Sequence, residues 1–212
     1  NELEKFLDLN TDHYFKKTKH IILKNKDMQV TYAIFMRRPV LFCPSLAIKW
    51  LRKIEKIRNT KFNIKMCYKE GEWVGAGEPL MFLSGKFSQL VELETTYLQL
   101  IGPASVAAYN AFKMCTDLPN TAFMAMDARH CAGAHMHELM AYGASVGSNK
   151  AKKEVNAKGF IGSSCKSTTN FFKNDHALGT MPHALIGYAG STLNAAKFYH
   201  NTFPDEPLTV LV

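Results

Sequence analysis

The sequence predicts an α/β fold, on three observations. Residues 1–118 mix helix and strand signals, with a cluster of turn residues between short apolar runs at 69–87. From residue 119 onward, strand-like apolar runs alternate with helical stretches, the rhythm of parallel βα units. No apolar run approaches the roughly 20 residues that span a bilayer. The expected division is therefore a mixed domain over 1–118 and a parallel βα domain over 119–212.

The elements follow in order. Asn10, Thr11 and Asp12 are helix-capping types, and Tyr14, Phe15, His20, Ile21 and Ile22 follow at helical spacing, so a helix runs on through Leu23. MQVTYAIFM (28–36) is β-branched and aromatic and stops before Pro39, which reads as a strand. Leu46, Trp50, Leu51, Ile54 and Ile57 place a helix over 45–58. KEGEWVGAGEPLMFLSGKF (69–87) reads as small β-structure with tight turns. A helical pattern then covers 88–112, in which Pro103 is expected to break or restart the helix. Beyond residue 120, strands are expected at 121–126, 159–162, 177–181 and 207–212, with helices at 134–154, 165–173 and 189–202.

A complete (β/α)8 barrel takes about 250 residues, so the residues after 120 hold about four βα units. The chain starts without methionine and ends on LTVLV, an apolar run without cap or charged stop. A parallel strand there leaves a bare hydrophobic edge, and the sequence reads as cut off in mid-domain.

Composition narrows the function. NELEKFLDLN at the start has no apolar core of signal-peptide type. Cys43, Cys67, Cys115, Cys131 and Cys165 are odd in number, widely spaced and without a CxxC pair, which points to reduced thiols in a cytoplasm. The net charge of +8 is uneven, with 16 Lys/Arg against 7 Asp/Glu in residues 1–70. Such a patch suits nucleic acid, acidic lipid or a polyphosphate substrate, but its lysines fall on amphipathic helical stretches, where a solvated face is the commoner explanation.

Four places carry candidate chemistry. His183, in GTMPHAL (179–185), lies two residues past a predicted buried strand, where parallel α/β proteins line their active sites. Gly179 allows close approach of a ligand, Thr180 adds a hydroxyl, and Pro182 fixes the turn that aims the imidazole. A neutral imidazole is a nucleophile towards phosphorus or a proton shuttle; a histidine capping the next helix is the bland alternative. Asp127, Ala128, Arg129 and His130 follow the first predicted strand of the second domain; Arg129 there suits phosphate or carboxylate, or else a salt bridge with Asp127. GFIGSSCKSTTN (159–170) is a glycine- and hydroxyl-rich strand-to-helix turn, fit for an anion or for ordinary capping by Ser163, Ser164 and Ser167. Tyr14 is either core or a stacking surface for a flat ligand. The His130, Cys131, His135 and His137 group invites a metal reading, but residues two apart on a helix diverge, and none is expected.

Taken in order, TDHY (11–14), GEPLMFLSG (77–85), LETTYL (93–98), ARHCAG (128–133), GFIGSS (159–164) and GTMPHAL (179–185) resemble the motifs of the nicotinate phosphoribosyltransferase family. The resemblance implies an N-terminal α/β sandwich followed by a barrel of phosphoribosyltransferase type, of which this chain holds the first half. It also implies a reaction in NAD biosynthesis: nicotinate and phosphoribosyl pyrophosphate give nicotinate mononucleotide and pyrophosphate, with hydrolysis of ATP. Mg2+ and cationic side chains would stabilise the departing diphosphate.

Residue by residue, the family's phosphorylated histidine maps onto His183, and its nicotinate-contacting threonine onto Thr180. Tyr14 matches a tyrosine that stacks on the pyridine ring across a homodimer interface, and Arg129 the arginine near the bound substrates. Ser164 stands where nicotinamide-using relatives carry an aspartate, and its neutrality suits the acid. Met126 stands where the family usually has the second aromatic face of the ring sandwich. The nearest rivals use nicotinamide or quinolinate. The phosphorylatable His183 speaks against quinolinate, whose enzymes do not need it. A basic nucleic-acid-binding module and an inactive fragment are the rivals from other classes. The reading carries neither nucleic acid nor membrane as a partner.

Overall fold

In the computed structural model, which describes residues 2–212, the chain opens with two helices where the sequence predicts one. These are α1 (Glu2–Asn10) and α2 (His13–Lys24). Asp12 heads α2 but gives it no side-chain cap; its carboxylate accepts instead from the Thr95 hydroxyl at 2.8 Å. The Thr11 hydroxyl donates to the Glu92 carbonyl at 3.0 Å. The capping residues thus fasten the start of α2 to a later helix.

β1 (Gln29–Phe35) and β2 (Val40–Leu41) come next, then α3 (Ser45–Arg58), which buries Ala47, Leu51 and Ile54 along one stripe. β3 (Asn63–Met66), β4 (Trp73–Val74) and β5 (Pro79–Lys86) fill the turn-rich region. β5 lies between β1 and β3 in a three-stranded antiparallel sheet, and β2 pairs antiparallel with β4. After α4 (Phe87–Leu90) and a 3-10 turn, α5 (Glu94–Asp117) crosses the molecule. The core gathers Phe42, Leu51, Ile54, Leu80, Leu83, Leu93, Tyr97 and Ile101, all at most 2% exposed.

Pro103 lies inside α5 and does not interrupt it, contrary to expectation. Proline removes one hydrogen bond to the preceding turn. The buried residues on both sides, Leu100, Ile101, Ala104, Ser105 and Ala108, hold the helix through the defect.

Beyond residue 120 the chain forms β6 (Ala122–Ala125), a 3-10 turn at Ala128–His130, and α6 (Ala134–Val155). β7 (Gly159–Ser163), a second 3-10 turn, α7 (His183–Ala189) and α8 (Thr192–Thr202) complete it. β6 and β7 pair in parallel, with Ala122 opposite Gly159 and Ala125 opposite Ser163. α6 packs on α5 through Gly143 and Gly147, where a Cβ would stand 2.3 Å from the Ala104 oxygen and 2.1 Å from the Ala108 oxygen.

Three expectations for this region are corrected. Residues 177–181 and 207–212 are not strands, so the described residues form two parallel strands, not four, and no barrel. The helix expected at 165–173 is a 3-10 turn over Lys166–Phe172. The helix expected at 189–202 is split, because Gly190 takes φ +78° and Ser191 caps α8 through the Asn194 N–H. What remains of the two missing strands is single backbone bonds. Leu178 N–H donates to the Ser163 carbonyl at 2.8 Å, and Met181 N–H to the Thr209 carbonyl at 3.4 Å.

Candidate active site at the strand ends

β6 ends at Ala125 and β7 at Ser163, side by side. One residue on, the Ser164 N–H donates to the Ala125 carbonyl at 2.9 Å, which locks the two ends together. The Leu178 bond to Ser163 then lays the third segment against β7 at that same end. Gly162 makes room for it: a Cβ there would stand 2.5 Å from both the Asn174 amide nitrogen and a Leu178 methyl. Arg129, Ser164, Thr180 and His183 therefore all follow from backbone joined at one end of the parallel pair.

Each of the four stands differently. Arg129 is exposed in the 3-10 turn and forms no ion pair among the described residues. The Asp127–Arg129 salt bridge considered as an alternative is absent, because the Asp127 carboxylate accepts from the Cys131 thiol at 3.2 Å. Burial pushes that thiol up to about 11, helped by the Asp127 hydrogen bond and charge. Ser164 is half-buried, and its hydroxyl forms no hydrogen bond among the described residues. Ser163 is different: its hydroxyl bonds the Thr168 hydroxyl at 2.5 Å and accepts from the Cys165 N–H at 3.3 Å. No serine side chain caps the 3-10 turn, so of Ser163, Ser164 and Ser167 only Ser163 is taken up by these bonds within the loop.

The Thr180 hydroxyl reaches only the Met181 carbonyl, at 3.4 Å. Met181 is wholly buried and anchors the segment, and Pro182, extended at ψ 156°, turns it into α7. His183 is the first residue of α7, with its side chain exposed.

Tyr14 stands apart from these four, on the first turn of α2 with 61% of its surface exposed. Its ring lies 4.3 Å from that of Phe15, and residual desolvation, Asp12 and Glu94 raise its phenol. Burial and the Asp12 charge likewise raise the Glu94 carboxyl. Tyr14 is thus an open aromatic face with acid beside it.

His137, named in the sequence only as part of the His/Cys group, is buried in a way that its sequence position did not signal. It is 6% exposed on α6, and its Nε2 has no hydrogen-bond partner. The four-residue group His130, Cys131, His135 and His137 does not assemble, and the described residues bring no three His, Cys, Asp or Glu side chains together as a metal cage. The Mg2+ implied by the resemblance thus finds no such cage on these residues. No helix among them is long and apolar enough to cross a membrane.

Residues 12–105 match the family model described as quinolinate phosphoribosyl transferase, N-terminal domain. Among solved structures, a nicotinate-nucleotide pyrophosphorylase from Pyrococcus furiosus superposes with a TM-score of 0.77 at 23% identity, over 100% of this chain and 52% of that one. NadC from Streptococcus pyogenes gives 0.65 at 14% identity, over 98% of this chain and 65% of that one. Human nicotinic acid phosphoribosyltransferase gives 0.66 at 20% identity, over 85% of this chain and 41% of that one. This chain therefore spans about half the length of the Pyrococcus protein. No curated protein sequence matches it significantly. At these identities the likeness establishes the α/β fold, with its small sheets and mixed helices.

Proposed function

We propose that this chain is the N-terminal part of a nicotinate phosphoribosyltransferase, a cytoplasmic homodimer that joins nicotinate to phosphoribosyl pyrophosphate with hydrolysis of ATP. The observation that carries the reading is the seat of the GTMPHAL segment, held on the end of β7 by the 2.8 Å bond from Leu178 to Ser163. Five residues beyond that bond His183 opens α7 with its side chain exposed, and in such folds the segments just past the strand ends carry the chemistry. Residues 1–118 act as the N-terminal domain, and 119–212 contribute the opening strands of a barrel completed elsewhere in the assembly.

The roles follow from position and chemistry. An imidazole nitrogen of His183 attacks the terminal phosphorus of ATP; an N–P bond forms, the P–O bond breaks and ADP leaves. Arg129, without an ion pair among the described residues, faces the anionic substrates at the β6 end. Thr180 and Ser164 offer hydroxyls to the pyridine acid. Tyr14 of one subunit stacks on the ring held by the other. Mg2+, if carried in on the substrate diphosphate, would offset its charge there, with none of these side chains as a cage for it.

The test is full-length enzyme with labelled ATP. An acid-labile phosphoryl adduct is expected in the wild type and lost in His183→Ala; its persistence in that variant removes His183 from the role. A second reading, quinolinate as substrate, is favoured by the family match over residues 12–105. Product formation from quinolinate without ATP, and none from nicotinate, establishes that alternative.

A further inference from the structure

His137 is the unexplained polar group of this region. An imidazole nitrogen closed to water and without a partner is costly, and completion by a bound group is one of the explanations it calls for. Its position can be placed from helix geometry. Ser148 accepts from the Phe160 N–H at 2.8 Å, which sets that face of α6 against the start of β7. His137 lies eleven residues earlier, about three turns and so on the same face, about 16 Å up the helix axis. At about 3.3 Å per strand residue, that is level with residue 165, just past the end of β7. Helical side chains lean towards the N-terminus, which carries the ring to the β6–α6 loop.

The start of α6 is itself open. Gly133 precedes it at φ +89°, no side chain caps it, and its first turn holds no acidic residue. The first N–H groups of a helix have no partner within it and carry the positive end of its dipole. Arg129 and His130 sit just before it, both exposed. Asp127, the nearby carboxylate in sequence, is occupied by the Cys131 thiol.

We propose that the first turn of α6 is a seat for a substrate oxyanion, with the imidazole of His137 as its buried hydrogen-bond donor and Arg129 as its outer charge. The identity of the anion rests on the transferase reading above: a pyridine carboxylate or a diphosphate. His137 is then a binding residue that holds the substrate, distinct in role from His183.

Calorimetric titration of the 212-residue chain with nicotinate and with pyrophosphate tests this, with nicotinamide as the neutral control. One oxyanion is expected to bind saturably and more tightly than nicotinamide, and which one does so identifies the source. His137→Leu weakens that binding about tenfold or more, as loss of a hydrogen bond to a charged group does. His137→Gln, whose amide N–H reaches a similar place, recovers most of it. Thermal unfolding of His137→Leu stays at or above wild type, because the change removes an unpaired polar group. A residue with a merely structural role would lower stability instead. Equal affinity in wild type and His137→Leu overturns the seat and leaves the transferase reading standing, as does failure of wild type to bind either anion while full-length enzyme still forms the product nucleotide. Oxyanion binding that needs His137, with no nucleotide formed by full-length enzyme, keeps the seat and removes the transferase reading.

Discussion

Gly147 lies against the backbone of Ala108 so closely that a Cβ would stand 2.1 Å from the Ala108 oxygen and 2.8 Å from the Phe112 nitrogen. Both are backbone atoms of α5 and cannot swing aside. This contact, with Gly143 one turn away against Ala104, sets how near α6 comes to α5 and so where the β6 and β7 ends lie relative to the N-terminal domain. Gly147→Ala is therefore expected to cost about 3 kcal/mol, the upper range for overpacking, despite its better helix propensity. Urea denaturation checks it; a loss under 1 kcal/mol shows that the helices part at little cost.

Much of the first domain was legible because its elements pay for themselves locally. α3 runs over Ser45–Arg58, the bounds its apolar spacing predicts, and β1 fills most of 28–36. Pro103 misled because a local rule was overridden by burial on both flanks of α5. Residues 177–181 misled for the opposite reason. An apolar run becomes a strand only beside a neighbour that accepts its whole ladder, and ALGTM finds a single bond to β7, from Leu178 to Ser163. At the candidate site, strand-end position picked out Arg129, Ser164, Thr180 and His183. His137 was marked only as one of a His/Cys group weighed for a metal, because a buried histidine on a helix face looks like any other core residue until its missing partner is seen.

Asp27 is a source of acid sensitivity. Its carboxylate accepts from the Ser88 hydroxyl at 2.7 Å and from the Ser88 N–H at 3.1 Å, and these bonds, the hydroxyl foremost, hold its pKa below the usual carboxylate value. A lowered folded-state pKa contributes stability above the unfolded value near 3.9, and loses it as pH falls through the folded one. Asp27→Asn should lower stability by about 1 kcal/mol at neutral pH, and the difference from wild type should shrink as pH falls from the unfolded value through the lowered folded one. Parallel urea curves across that range decide it; a constant difference excludes the Asp27–Ser88 pair as the cause.

The Cys131 thiol offers a probe of the Arg129 turn. With its pKa pushed to about 11 by burial and then by Asp127, only about one thiol in a thousand is thiolate at pH 8. Exposed Cys67 should react with a thiol reagent well before Cys131. Asp127→Asn removes the charge and weakens the hydrogen bond at once, so Cys131 alkylation should accelerate several-fold while Cys67 keeps its rate. Peptide-resolved mass spectrometry reads both sites in one sample. An unchanged Cys131 rate means burial alone protects the thiol.

Ser164 carries the substrate choice in the proposed function. Its N–H is fixed to the Ala125 carbonyl at 2.9 Å, so a new side chain there has a set origin at the strand-end mouth. The existing hydroxyl has no partner among the described residues and is free to meet a ligand. Ser164→Asp puts a carboxylate at that place. Against nicotinate it faces like charge; against nicotinamide it accepts from the amide N–H2. Even at a surface-like effective dielectric the charge term is of the order of 1 kcal/mol or more, so the ratio of kcat/KM for nicotinate over nicotinamide should fall by about tenfold or more. Competition between the two bases in full-length enzyme measures that ratio directly. A ratio left unchanged, with activity intact, places Ser164 away from the ring substituent and moves the discrimination to Arg129 and Thr180.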